Sequence, residues 1–437
     1  MKAQRGFVAL LMMVLVAVGV FGAMAAWVAS EPPPSKQSIN QQVLMQAREA
    51  LLAYVAVSGD PAKVLTQKTR LPCPDKDGDG AADTAPDSSH CGITRQPEIG
   101  LLPWKTLGLA PLRDADGECL WYAVSGDFKD ANVDPSAVPP PIAVNADTDG
   151  AITVTNEAGS SLATKLVAVV FAPGAKLGSQ VRTNSAMIGA DRPCATPTGA
   201  TPNGGAAADV AGYLDSGKID ITVTPPTITF IQLTGTVDKQ SELNDQLAWI
   251  TTDDYAAIAM QRNTAVLKTA FTSAVTAASA GGRWPFAAAK PGDMCEQGRY
   301  SGFLPTSCIY VHPTSGETLS FALGTPKAML DDDWPELAFY AVAPGCAFSA
   351  SGCTPATGPA LSLPTNATAK AVMLMRGRQQ PSLGCPLSTA PTLWEKWLPC
   401  IESPNQSELL DPMTLKTRTF ITPDRRPVSN DILEELK

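Results

Sequence analysis

Asp75-Lys76-Asp77-Gly78-Asp79-Gly80-Ala81-Ala82-Asp83 is the stretch whose spacing spells out a chemistry. It reads D-x-D-x-D-G-x-x-D, which fills the first, third, fifth, sixth and ninth places of a calcium loop. Calcium takes six to eight oxygens, and alternate carboxylates in a tight turn supply them. Asp75, Asp77, Asp79 and Asp83 are the expected ligands, with the carbonyl of Ala81 at the seventh place. Gly80 permits the sharp reversal at the sixth place. The twelfth place is Pro86, so no bidentate Glu stands there, and the adjacent Asp87 is the substitute on offer. The plainer reading is an acidic surface turn, because Asp and Gly favour turns in any case.

Ten cysteines form no C-x-x-C pair, and the chain has two histidines, which argues against zinc. An even set of cysteines behind a hydrophobic N-terminus reads as disulfides formed in an oxidising compartment. Neighbours in sequence give the simplest pairing: Cys73–Cys91, Cys295–Cys308, Cys346–Cys353 and Cys385–Cys400, leaving Cys119–Cys194. Sequence alone does not fix such a connectivity.

No nucleophile elbow, phosphate loop, dinucleotide fingerprint or H-E-x-x-H occurs, and neither His90 nor His312 has a catalytic setting. The expectation is a protein that is not an enzyme. Asn366-x-Thr368 and Asn405-x-Ser407 fit the glycosylation pattern, one that arises often by chance. Formal net charge is -9, which disfavours a nucleic-acid partner, since phosphate binding needs clustered Lys and Arg. Scattered basic residues such as Arg376 and Arg378 are expected on a solvated face.

These residues need elements to hold them. With 437 residues, 44 % of them hydrophobic and 17 % charged, the chain is long enough for two or three folded units. Phe7 to Ala29 carries no charge. As a helix it would be about 35 Å long, enough to span a bilayer core. Lys2 and Arg5 place the N-terminus inside and the body outside. Cleavage of a signal peptide after Ala25, at Ala23-Met24-Ala25, is the alternative. Pro32-Pro33-Pro34 ends the segment, and Ser38-x-x-Gln41 offers a capping box. Ile39, Val43, Ala47, Leu51 and Val55 then form one apolar helix face. Strands are expected at 120–124 and 166–171, and Thr251 with Asp254 caps a helix that ends at Gly281-Gly282.

Arg5-Gly6-Phe7, set directly before the apolar run, resembles the leader junction of type IV pilins and type II secretion pseudopilins. In that family a prepilin peptidase cuts after the Gly and methylates the new N-terminal Phe, here Gly6 and Phe7. Most members carry a Glu shortly after the junction; this chain has Leu11 in that region. "AREALLAYV", "LPCPDKDGDG", "GLLPWKTLGL", "LWYAVS", "VVFAPG", "GYLDSG" and "NDQLAWI" resemble, in that order, stretches of pilin-like proteins with a prepilin-type N-terminus. The second half looks like a degenerate copy: "LWYAVSGDF" compares with "AFYAVAPGC", "KLVAVVFAPG" with "KAVMLMRGRQ", and "LNDQLAWI" with "SNDILEEL".

The resemblance implies an α+β fold. An N-terminal transmembrane helix would lead into pilin-like heads, each a helix packed on an antiparallel sheet, in two tandem copies. The implied division is a leader over 1–6, a transmembrane helix over 7–30, a first head with the calcium-type loop over 31–253, a connecting helix over 254–281 and a second head over 282–437. The implied role is a minor filament subunit, held in the inner membrane with its head in the periplasm or on a surface filament. Its partners would be other pilin-like subunits, the prepilin peptidase and the assembly machinery. Gly19 and Gly22 would allow close helix packing in the filament core. The alternative from another class is a secreted or periplasmic calcium-stabilised binding protein.

Overall fold

The computed structural model describes residues 35–57, 69–76, 78–82, 95–130, 144–178, 180, 194, 213–215, 217–220, 227–232, 243–278, 282–324, 334–355, 360–363, 366–377, 409, 413, 418–419 and 431–436. The leader, the apolar segment 7–30 and the junction at Gly6 and Phe7 lie outside these residues. Among the described residues, no helix is long and apolar enough to cross a membrane.

Among the described residues there are two long helices, α1 (Lys36–Val57) and α2 (Thr252–Ala278). The apolar face read from the sequence is the buried face of α1: Leu44, Ala47, Leu51, Leu52 and Val55. Its start differs from expectation. Ser35 Oγ accepts the Ser38 amide at 3.1 Å, so the cap is Ser35, three residues earlier than the box read at Ser38. The start of α2 is as read. Thr251 Oγ1 accepts the Asp254 amide at 3.0 Å, and Asp254 Oδ2 accepts the Thr251 amide at 3.0 Å, a reciprocal box.

The rest is mostly sheet. The largest sheet joins β1 (Glu98–Leu101), β2 (Trp121–Val124), β4 (Ser161–Ala172), β3 (Ile152–Asn156), β6 (Thr227–Gln232) and β5 (Gly217–Asp220) in that spatial order. β7 (Gln246–Thr251) also pairs with β4. A second sheet runs β16 (Ile432–Leu436), β14 (Ala371–Met375), β11 (Ala338–Val342), β8 (Ser301–Phe303). A third runs β13 (Asn366–Ala369), β12 (Leu361–Leu363), β15 (Arg418–Thr419). β9 (Ser307–Val311) and β10 (Thr318–Ala322) form a separate ribbon.

The two halves repeat one another strand by strand. β1, β2, β4 and β7 are antiparallel neighbours in that order, and so are β8, β11, β14 and β16. Beside them β3 pairs antiparallel with the start of β4 and parallel with β6, as β12 does with β13 and β15. Register agrees as well: Gly100, Tyr122 and Val170 lie side by side, and so do Gly302, Tyr340 and Met373. The loops before the first strands match too. Asp75 and Leu101 exchange backbone hydrogen bonds at 2.9 and 2.8 Å, and Ala288 and Phe303 do the same at 2.9 and 3.0 Å.

These facts overturn the expected fold class. The described residues form several sheets with two helices, not pilin-like heads of a helix packed on an antiparallel sheet, and none of their helices could cross a membrane. The main sheet is mixed, because β3 and β6 run parallel. Nor are the halves tandem units joined by a linker. One hydrophobic core runs from Leu44 and Leu51 through Tyr255 and Phe271 to Tyr340 and Leu436. The expected connecting helix is part of that core: α2 packs on α1, β4 and β7 from one half and on β10, β14 and β16 from the other. An apolar helix following a capping box reads the same in sequence whether it links two units or fills the space between two sheets; its length and the distant strands decide.

Arg376 is a further correction. It is not on a solvated face but fully buried, and its guanidinium pairs with Asp147 of the other half.

Candidate functional site

The acidic loop and its surroundings are the chemically richest part of the first half. Asp75 is completely buried. Its Oδ1 accepts the Gly78 amide and its Oδ2 the Gly80 amide, each at 2.7 Å. Asp79 Oδ1 accepts the Ala81 amide at 2.7 Å, and Thr106 Oγ1 accepts the Ala82 amide at 2.7 Å. Gly80 has φ +88°, and a Cβ there would lie 2.3 Å from the Trp104 ring, so only glycine fits the sixth place of the motif. The loop is therefore wound around the Asp75 carboxylate and seated on Trp104 and Thr106.

Of the five expected calcium ligands, Asp75, Asp79 and Ala81 fall in this loop. Asp77 and Asp83 lie outside the described residues. Among the described residues, no three His, Cys, Asp or Glu side chains are gathered as metal ligands. What the described donors do is organise the loop: both Asp75 oxygens already accept backbone N–H groups, though a carboxylate keeps further lone pairs for an ion.

A charged cluster that the sequence reading missed lies behind the loop. Lys76 Nζ binds Glu98 Oε1 at 2.5 Å, and Lys129 Nζ lies 3.8 Å from Glu98 Oε2. Arg95 Nε reaches Asp127 Oδ1 at 3.3 Å, and the Arg70 guanidinium donates to the Asp127 carbonyl. Burial pushes the Lys129 ammonium down to about 8, against the pull of Glu98 and with the push of Lys76. Burial likewise raises the Asp127 carboxyl, opposed by Arg95. Tyr54 of α1 is raised to about 12 by burial and by the Asp130 carboxylate beside it. The one signal in the sequence was the charged pair Asp127 and Lys129 closing an apolar strand, a pattern that ordinary strand ends share.

Seven stretches carried the resemblance, and their described residues lie in neighbouring elements of the first half. "AREALLAYV" is α1, which packs on α2, β4 and β7. "LPCPD" lies along β1, and Pro72 O accepts the Tyr122 hydroxyl of "LWYAVS" at 3.2 Å. "GLLPWKTLGL" seats the acidic loop, and "VVFAPG" and "NDQLAWI" are the paired strands β4 and β7. Of "GYLDSG", Asp215 accepts the Asn244 amide at 2.5 Å, just before β7.

Three of the expected disulfides are present: Cys119–Cys194, Cys295–Cys308 and Cys346–Cys353. Cys73 is also disulfide-bonded. Cys91, Cys385 and Cys400 lie outside the described residues. His312 Nδ1 accepts turn amides of Thr314 and Ser315 at 3.4 and 3.3 Å, and so serves the ribbon turn. Asn366 Oδ1 accepts the Thr368 amide at 3.0 Å and its Nδ2 donates to Glu435.

The three disulfides point to an oxidising environment, of the kind found outside the cytoplasm. Comparison with protein-family models, curated proteins and solved structures found no match to this chain.

Proposed function

We propose that this chain is an extracytoplasmic assembly subunit that acts by binding its neighbours and not by catalysis. It would enter the pathway of type IV pilus or type II secretion subunits, be cut after Gly6 by a prepilin peptidase and be methylated on Phe7. It would then stay in the inner membrane through residues 7–30 until an assembly machine extracts it. The proposal does not require the pilin-like head, which the fold excludes. The observation that carries it is the junction Arg5-Gly6-Phe7 ahead of an uncharged run, joined to ordered stretches that lie in neighbouring elements of the first half. Disulfides are consistent with a body outside the cytoplasm.

Mass spectrometry of the mature protein from a membrane fraction tests it. The expected N-terminus is Phe7, with Gly6→Val leaving the leader attached. A chain that begins at Ala26 and is soluble in the periplasm refutes it and favours the second reading, a calcium-stabilised binding protein. The preformed loop around Asp75 is what speaks for that reading. Under it, adding calcium to chelated protein raises the melting temperature, because an ion that binds only the folded state stabilises it by mass action. Asp79→Ala abolishes that rise. An unchanged melting temperature leaves Asp75 and Asp79 as turn-formers alone.

A further inference from the structure

The two halves solve one packing problem in two ways. In each, the residue before the loop proline bridges, in parallel, to the turn after the second strand: Leu71 to Lys129, and Trp284 to Ala347. In each, the second strand's tyrosine hydroxyl donates to that proline's carbonyl, Tyr122 to Pro72 at 3.2 Å and Tyr340 to Pro285 at 3.0 Å. The second half keeps a buried cation, Arg283 paired with Glu317, at the place of Arg70, but fills the other places with uncharged groups. Ala347 is wholly buried, Phe286 packs on Tyr300 at 5.7 Å, and Cys346–Cys353 closes the turn. The first half puts Lys129 where Ala347 stands, Glu98 where Tyr300 stands and Asp127 where Gly345 stands. The Lys129 side chain is wholly buried. Burying charge costs more than its pairing commonly returns, and at the places of Lys129, Glu98 and Asp127 the second half closes without it.

We propose that the first half's contact is a proton-operated latch: loss of the Lys129 proton closes the proline loop onto β1 and the 125–130 turn, while the second half's contact stays closed. The groups facing Lys129 are Glu98 on β1, Lys76 on the loop and Asp127 on its own turn. Arg70 and Arg95 reach it through Asp127, and Asp130 is held by Tyr54 on α1. Desolvation outweighs Glu98, so the folded contact gives up the Lys129 proton near pH 8, whereas the unfolded chain keeps it to about 10.4. Between those limits the open form binds more protons than the closed one. The contact therefore tightens as pH rises and loosens toward neutral.

Hydrogen exchange of the full chain at pH 7 and pH 9.5, in chelator and corrected for base-catalysed exchange, tests the latch. Segments 69–76 and 125–130 are expected to gain about tenfold protection relative to segments 283–289 and 343–347. Lys129→Met is expected to abolish that gain, with protection in the second half unchanged. Equal changes in both halves, or a gain that survives Lys129→Met, overturn the proposal. Should Lys129→Met fail to fold, Glu98→Gln serves: removing the attracting carboxylate must move the onset of the gain to lower pH, and an unmoved onset overturns the proposal.

Discussion

Arg376 shows how much one side chain can carry here. It is fully buried at the end of β14, its guanidinium pairs with Asp147 of the other half, and its amide donates to the Leu337 carbonyl at 2.8 Å. Replacing it by Ala removes the guanidinium from the Asp147 carboxylate, whose side chain is 22 % exposed. Breaking such a pair typically costs about 3–5 kcal/mol, so Arg376→Ala should lower the urea midpoint sharply, while Arg378→Ala marks the cost of removing an arginine elsewhere in the chain. Asp254 is the matching case among acids. Burial alone would raise its carboxyl, but the hydrogen bonds from Thr251 and the Arg48 guanidinium together hold it below the usual range. A depressed carboxylate contributes stability above its unfolded pKa of about 3.9, and that stability is lost as pH falls through the folded value. Asp254→Asn should therefore flatten the acid limb of a stability-versus-pH curve below about pH 4. An acid limb as steep as that of the parent chain would contradict this assignment. Sequence spacing disclosed the Thr251–Asp254 box because its partners are three residues apart. Nothing local disclosed Arg376, whose partner is 229 residues away.

At the level of elements, the two edge strands beside the proline loops impose the same demand. A Cβ on Gly100 would lie 2.8 Å from the Asp75 carbonyl, and one on Gly302 would lie 2.4 Å from the Ala288 carbonyl. In both cases the atom in the way is backbone tied into a pair of hydrogen bonds, so it cannot yield cheaply. Gly302→Ala is expected to cost about 1–3 kcal/mol and Gly100→Ala less, by chemical denaturation. Equal stability of Gly302→Ala and the parent chain would show that the loop is not held as described. The tyrosines make a second matched pair. Tyr122→Phe and Tyr340→Phe each remove a buried hydroxyl bond, worth about 1 kcal/mol, and their effects should add because the sites share no partner. The apolar periodicity of α1 and the strands at β2 and β4 were legible beforehand. The parallel pairs β3–β6 and β12–β15 were not, since a parallel partner lies a long crossover away and leaves no mark on either strand.

Across the whole molecule, the shared core makes cooperativity the sharpest test. α2 is gripped by both halves, and one hydrophobic cluster contains residues from each. Calorimetry should give one transition whose calorimetric and van't Hoff enthalpies agree. Two resolved transitions would mean that the halves fold separately despite their contact. Residues 282–437 expressed alone lack α2 and should not reach a cooperative fold.

The sequence by itself determined what is local or repeated in composition. It gave the α1 face, the Thr251–Asp254 box, three near or isolated cysteine pairs, the turn chemistry at Gly80, and the likeness of "FYAV" to "WYAV". Tertiary structure alone decided how those pieces combine. Mixed sheets, the burial of Lys129 and Arg376, and the place of α2 between two halves all depend on contacts between residues far apart in the chain. Charge and hydropathy at one position do not record what will cover it, and that is why nothing local marked Lys129, the most deeply buried cation beside the loop.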